Sequence, residues 1–486
     1  MSPSAVALTV IFGIVASGAG IGFLAGVRRK MDLEQWTTGG RGFGAVLTYL
    51  LMAGEVYTTF AFLGASGWAY SRGGPTLYIL AYLTLAYVVS FFILPQIWEV
   101  GRKHGLQTES DFFLQRYHSQ YLAAFVCVTG IAFLVPYLQL QLTGLGIIVE
   151  VASFDGIGRT PAMVVAVSLV AAFVFASGVR AVAWVSVLKD VLMLLAAFSI
   201  GIGVPYVHFG GIGNMFAALT KARPGHLTMP GTTPFAAPVL THSWYISTVL
   251  LTSLGFYMWP HSFAAAFTAR SAGTLRRNAV VMPLYTLTLP FVFFAGFTAL
   301  LVVPGLSNGD LALLTIVRRS FPAWFLGLIG GAGALTAMVP AAIFTLTAAT
   351  LFAKNLYRPL LAPAMTDDQV ARLARAMVVV LSLISLYFAI YHSTTLVSLL
   401  LLGYSGITQF FPGVVLGLYW KRATMRGVFA GMVTGVATVA VLALAKQDLV
   451  FGLNAGFVAL CLNFLVTVGL SVLTAPPQAA GSGHHD

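Results

Sequence analysis

Three ionisable side chains stand where charge is expensive. Glu55 lies inside the apolar stretch 43–70, between Leu50-Leu51-Met52-Ala53-Gly54 and Val56-Tyr57-Thr58-Thr59-Phe60, and Lys189 and Asp190 lie side by side in the apolar stretch 181–206. A charge at the centre of a membrane helix costs roughly 2.5–3.5 kcal/mol on insertion scales, so a partner, a proton or a cavity must offset it. Groups so placed ordinarily mark an ion or substrate path, and the chemistry open to them is binding and release of a cation or proton. Lys189 is about six residues into its stretch, roughly 9 Å at the helical rise, so it either enters the protein or snorkels to the interface. Asp190 is turned about 100° from it, which predicts that the two do not share a face and that at least one enters the protein, with Asp190 read as a plain interfacial acid or as a proton relay. Glu55 is read either as a titrating group or as an acid held permanently neutral or paired with Lys189.

The elements that position these residues are membrane spans. Of 486 residues, 58% are hydrophobic and 8% charged, against about 25% charged in soluble domains. Apolar runs predict about thirteen transmembrane helices, at 5–27, 43–70, 75–99, 119–150, 160–178, 181–206, 241–269, 278–304, 322–358, 369–391, 394–419, 424–445 and 450–474. The chain is therefore read as one all-α polytopic domain over 1–474, followed by a disordered cytoplasmic tail over 475–486. The first run ends in Arg28-Arg29-Lys30 and lacks a basic start, so it reads as a span and not as a signal peptide.

The net charge of +12 comes from short clusters between spans, which orient a protein in a bilayer and do not form a nucleic-acid face. With the N-terminus outside and the C-terminus in the cytoplasm, 18 Lys and Arg residues fall inside and 7 outside, with Lys189 within a span. Cys127 and Cys461 both lie in apolar runs, so no disulfide framework is expected. The nine His residues are scattered, and no HExxH, CxxC or GxSxG pattern occurs, so neither an enzyme nor a metal site is expected. A sensor fused to signalling domains is not expected either, since twelve residues follow Thr474. The loop 210–238, rich in Gly, Pro and Thr, is expected to lie outside as a partly ordered cover.

Two spans carry interruptions. The second is broken at Gly54-Glu55 and the seventh, five spans later, at Tyr257-Met258-Trp259-Pro260-His261. Paired interruptions in corresponding halves point to an inverted-repeat transporter with its site at the midplane. The repeats are expected over about 43–206 and 241–419.

Several motifs resemble those of the sodium:solute symporter family. Gly39-Gly40-Arg41-Gly42-Phe43-Gly44 is similar to a G-G-R-x-x-G approach to the first core helix, and Asp111-Phe112-Phe113-Leu114-Gln115-Arg116-Tyr117 to a D-F-L-x-x-R-Y segment. Pro260-His261, Asn355-Leu356-Tyr357-Arg358, Phe411-Pro412-Gly413 and Leu418-Tyr419-Trp420 follow in family order. Within the family, Pro136-Tyr137-Leu138-Gln139-Leu140-Gln141 and Gly54-Glu55-Val56-Tyr57-Thr58 look most like the monocarboxylate permease branch.

The resemblance implies a LeuT-type 5+5 core, in which spans two, three, seven and eight rock against the rest. It also implies a sodium site made of backbone carbonyls at the first break, here Gly54 and Tyr57, and two hydroxyls on the eighth core helix. Those hydroxyl positions fall on Val339 and Pro340, which carry none; a one-turn shift brings in Thr336. Ala181-Val182-Ala183-Trp184-Val185-Ser186-Val187-Leu188-Lys189 resembles A-V-x-W-T-D-x-x-Q, with Ser186 at the acid and Lys189 at the amide. A buried ammonium can then take the place of sodium. Proton coupling through Glu55, Lys189 and Asp190 is the sharper expectation, with sodium coupling the alternative and no cofactor. The resemblance brings Thr58, Thr59, Tyr137, Gln139, Gln141, Tyr257, Trp259, Tyr404 and Gln409 to a neutral substrate site. A small carboxylate such as lactate, pyruvate or acetate would rely there on hydroxyls, amides and helix ends. His261 is expected to support the bend, and the protein to act as a monomer in the cell membrane.

Overall fold

In hydrocarbon the backbone must satisfy its own polar groups, so long apolar runs have the helix as their solution, and that is what they form here. The computed structural model describes residues 1–26, 39–176, 179–230, 240–392 and 394–474. Arg28, Arg29, Lys30, residues 231–238 of the expected cover and the tail 475–486 lie outside the described residues. Helix α1 (Pro3–Gly26) precedes the first half, which comprises α2 (Ala45–Val56), a π-turn at Phe60–Gly64, α3 (Ala65–Arg72), α4 (Tyr78–His104), α5 (Glu109–Tyr117), α6 (Gln120–Ala152), α7 (Arg159–Ala176) and α8 (Val179–Phe209). A surface helix α9 (Ile212–Ala222) leads to the second half: α10 (His242–Gly255), α11 (Pro260–Thr268), α12 (Ala272–Thr286), α13 (Leu289–Val302), α14 (Ala312–Ser320), α15 (Ala323–Thr350), a π segment at Leu351–Tyr357, α16 (Arg358–Leu361), α17 (Asp367–Tyr391), α18 (Leu396–Ile407) and α19 (Phe411–Tyr419). Helices α20 (Met425–Leu444) and α21 (Ala455–Leu473) pack on each other and are joined by the hairpin β1 (Leu449–Val450) and β2 (Leu453–Asn454).

Among the described residues, ten helical segments, some joining consecutive helices as in 272–302 and 396–419, are long and apolar enough to cross a membrane, or eleven with the bent pair 45–56 and 60–72 counted as one. The helix of 159–176 and the broken pair 242–268 are not among them, so thirteen spans are not established. Both expected breaks exist. The first lies later than expected: α2 runs through Gly54 and Glu55, and the chain leaves the helix at Tyr57–Thr59, turning by 54°. The second lies at Trp259, which is extended (φ −63°, ψ 131°). The cause is Pro260 at the first position of α11, since a proline biases the residue before it away from the helical region.

Each end of the bundle is tied by polar contacts between the halves. At one end the Phe43 N–H donates to Thr268 O (3.1 Å) and the Arg270 N–H to Phe43 O (2.9 Å), joining the start of α2 to the end of α11. At that end Lys354 pairs with Asp111 at 2.6 Å, and Asn355 donates to the other carboxylate oxygen at 2.7 Å. Burial alone raises the Asp111 carboxyl, but Lys354 and the donors from Gln107 and Asn355 hold it below its ordinary value. Glu109 on the same helix is buried, and neither carboxylate oxygen finds a partner among the described residues. Burial pushes that carboxyl well above its ordinary value. At the opposite end, the carbonyl of His226, which follows α9, accepts from the Gly74 N–H at 2.8 Å and ties this part of the cover to the bundle. There Gly67 meets the Gly309–Leu311 turn so closely that an added Cβ would lie 2.8 Å from the Asp310 backbone nitrogen.

Candidate functional site

Ending α2 at Val56 and restarting the helix beyond Thr59 frees carbonyls that an unbroken helix would use internally. Tyr57, at φ −87° and ψ 95°, makes the exit. Lys189 on α8 fills the space beside it, donating to Gly54 O at 2.9 Å and Tyr57 O at 3.2 Å. Its ammonium also lies 2.9 Å from Asp190 Oδ1, and its side chain is fully buried. Snorkelling is therefore excluded. The expectation that neighbours 100° apart do not share a face also fails: the long Lys189 side chain bends back to its neighbour, and both residues are buried. Gly54 is required by this approach, since a Cβ there would lie 2.9 Å from Ser186 Oγ and 3.6 Å from Lys189 Nζ.

Around the ammonium stand groups the sequence did not single out. Tyr285 on α12 donates to Asp190 Oδ1 at 3.0 Å and packs edge-on against Tyr57, with ring centroids 4.9 Å apart. The Tyr57 hydroxyl is hydrogen-bonded to Thr288 Oγ1. Ser262 on α11 donates to Glu55 Oε2 at 2.9 Å, while Glu55 Oε1 and Asp190 Oδ2 have no hydrogen-bond partner among the described residues. The neighbourhood thus holds one amine and two carboxyl groups, all buried, so its net charge is set by how many protons the three share.

The first break is tied to α6 through Gln141, whose Oε1 accepts from the Thr59 N–H (3.3 Å) and hydroxyl (2.7 Å). Thr58 Oγ1 accepts from the Phe60 N–H at 3.2 Å. Beside it Tyr137 packs between Trp259 and Phe344, at centroid distances of 4.7 and 4.2 Å, with His261 5.9 Å away. Tyr404 meets Trp259 at 5.4 Å, and Tyr257 packs on Phe256 at 4.8 Å. Gln141 Nε2, Trp259 Nε1 and His261 Nδ1 are buried without a partner among the described residues. These residues form one polar and aromatic group between the two breaks.

Other expected positions go elsewhere. Gln139 donates to Phe388 O (3.1 Å) and His392 O (2.8 Å) at the end of α17. Gln409 donates to Ser405 O (2.9 Å) and accepts from Asn463 Nδ2 (3.1 Å), facing α21. Neither is turned to the central group, because each amide satisfies carbonyls or amides of an outer helix. Thr336 donates its hydroxyl to Ala332 O (2.7 Å) within its own helix; Ser186 likewise donates to Val182 O (3.0 Å), but its oxygen stands beside Gly54 at the first break. Val339 and Pro340 lie buried within α15 and offer no side-chain oxygen. No cluster of three or more His, Cys, Asp or Glu suited to a metal ion occurs among the described residues.

Comparison with known proteins agrees with this architecture. A model of the sodium:solute symporter family matches residues 36–435. The uncharacterized symporter YhjB of Bacillus subtilis (strain 168) is 44% identical, covering 98% of this chain and 99% of its own. A monocarboxylate transport permease protein of Rhizobium johnstonii (strain DSM 114642 / LMG 32736 / 3841) is 28% identical, covering 89% and 87% respectively. Among solved structures, a Na+-coupled sialic acid symporter in a substrate-bound outward-open state superposes with a TM-score of 0.81 at 18% identity, over 98% of this chain and 99% of that one. The fold is the LeuT-type fold that the family resemblance implies.

Proposed function

Because the chain belongs to the sodium:solute symporter family, we propose that this membrane transporter imports a small monocarboxylate such as lactate, pyruvate or acetate together with a proton. One observation carries the reading: Lys189 Nζ sits 2.9 Å from Gly54 O and 3.2 Å from Tyr57 O, the carbonyls a cation would use at the break. A protein-borne ammonium in that place supplies the positive charge that sodium would bring. The exchangeable charge is then the proton shared among Glu55, Lys189 and Asp190, moving as the site opens to each side.

For the substrate, the support is the neutral lining and the likeness to the monocarboxylate transport permease protein of Rhizobium. A carboxylate needs donors, and Gln141 Nε2, Trp259 Nε1 and His261 Nδ1 are buried polar nitrogens without a partner among the described residues, between the breaks. Buried polar groups are nearly always paired, so several unpaired in one place fit a site completed by a polar ligand. The end tied at Phe43 and Arg270 carries most of the basic residues, and the positive-inside rule makes it cytoplasmic, with the N-terminus outside. The test is uptake of labelled lactate into proteoliposomes, competed by pyruvate, acetate and proline. Competition by pyruvate and acetate supports the reading. Competition by proline alone overturns it in favour of a symporter for another small polar solute such as an amino acid.

A further inference from the structure

At the end of the bundle away from the Phe43–Arg270 tie, a cavity of about 410 Å³ is lined by Arg72 at the end of α3 and Arg159 at the start of α7. Ser71, Ser307, Thr394, Thr395 and Ser398 add hydroxyls, and Trp68 forms part of the wall. The Arg72 guanidinium stands over the Trp68 ring, 5.8 Å from its centroid, so it is held towards the cavity wall. Thr394 and Thr395 mark the start of α18, whose N-terminal dipole favours an anion. Two acids face these groups. Asp310, near Arg159, is buried and already accepts the Leu396 N–H at 3.0 Å. Asp448 faces Arg72 from the hairpin side, where a second cavity of about 140 Å³ shares Trp68, Arg72 and Ser398 with the first.

From that second cavity an aromatic path leads inwards. Trp68 lies against Trp244 and Tyr78, Tyr78 stacks on Tyr82 at 5.8 Å, Tyr82 meets Tyr404 at 5.9 Å, and Tyr404 meets Trp259 at 5.4 Å. These packed rings form a continuous closed wall between the outer cavities and the central group. Guanidinium pairs with hydroxyls are the donor set that recognises carboxylates, by charge-assisted hydrogen bonds. The central group offers no guanidinium, so the outer cavity is the more attractive place for an anion arriving from solution.

We propose that Arg72 and Arg159 form an outer capture site for a small carboxylate, which holds the anion beside the Trp68–Trp244 closure before it passes inwards. The proposal rests on the reading of the substrate as a monocarboxylate. It raises the local concentration of anion at the mouth, an effect that weakens as salt screens the arginines. Losing one of two guanidinium donors from an exposed site is expected to weaken capture about tenfold.

Because Trp68 lines the cavity, binding can be read without transport. Lactate is titrated into purified full-length protein while tryptophan fluorescence is followed, for the parent, Arg159→Gln, Arg72→Gln and Trp68→Phe, with chloride as the comparison anion. The expected result is a saturable change in the parent that is absent in Trp68→Phe, weaker by about tenfold in either arginine variant, and not reproduced by equal chloride. In uptake, the arginine variants should raise KM about tenfold at low ionic strength with kcat unchanged, and the difference should shrink in high salt. An unchanged titration in Arg159→Gln and Arg72→Gln, or a chloride response equal to that of lactate, overturns the capture site. Saturable lactate binding without any lactate uptake keeps the site and instead sinks the monocarboxylate transport reading.

Discussion

Replacing Lys189 by alanine tests the reasoning about the break most severely. The side chain is wholly buried and bonded to two carbonyls and one carboxylate, so its loss leaves Asp190 with Tyr285 alone and Gly54 O and Tyr57 O without their donor. Removing one partner of a buried ion pair costs about 3–5 kcal/mol. For a chain of this length, extrapolated size scaling turns that into a fall on the order of 5 °C in Tm. The variant also restores what a cation needs: two free carbonyls and a carboxylate in a space the ammonium has left. Sodium should therefore stabilise Lys189→Ala and not the parent, by about 2.7 kcal/mol at a concentration 100-fold over its Kd. The assay is thermal unfolding followed by tryptophan fluorescence, in sodium chloride against choline chloride at equal ionic strength. A loss below about 1 kcal/mol with no sodium response would refute the idea that Lys189 stands in for the cation.

Gly54→Ala pushes a methyl against Ser186 Oγ and towards Lys189 Nζ, so uptake should fall at least about tenfold; the double variant Gly54→Ala/Ser186→Gly should recover most of it, and equal activity of single and double variants would contradict the packing argument. Tyr285→Phe removes one hydrogen bond to a buried carboxylate and should lower stability by about 1.5–3 kcal/mol in a denaturation series. At the end of the bundle tied at Phe43 and Arg270, the carboxyl groups of the two acids of α5 are shifted in opposite directions. Glu109 has its folded value raised, so it holds a proton that the unfolded chain gives up near pH 4.3, and stability falls as pH rises above that point. Glu109→Gln should remove this slope, read from Tm measured between pH 4 and 8. Asp111, with its folded value lowered, contributes stability that is full above about pH 3.9 and is lost as pH falls through the folded value, so Asp111→Asn should be less stable than the parent at neutral pH.

Much of the architecture was legible because bilayer and backbone leave few options. Apolar runs predicted the helices, and Pro260 marked the second break almost to the residue. The first break lacks a proline, so Gly54 drew the reading to itself while the chain stays helical through Val56 and departs at Tyr57. Lys189 and Glu55 stood out by their cost, but their partners did not. Ser262, Tyr285 and Thr288 are ordinary hydroxyls in mixed sequence, brought to the site by helices far apart along the chain. Gln139 and Gln409 misled for the matching reason: an amide in an apolar run must find partners, and sequence does not say whether those are a ligand or the carbonyls of an outer helix. The Lys189–Asp190 pair shows a further limit, since helical angles fix where a Cβ points and not where a four-carbon side chain ends.

The proposed coupling is by a proton, and not sodium, at the first break. It is tested most directly by initial uptake of labelled lactate into proteoliposomes under an inward pH gradient without sodium, and under an inward sodium gradient at equal pH, for the parent and for Glu55→Gln. The account predicts concentrative uptake by the parent with the pH gradient alone, no gain from sodium, and loss of the pH response in Glu55→Gln. Strictly sodium-dependent uptake, indifferent to the pH gradient, would contradict it.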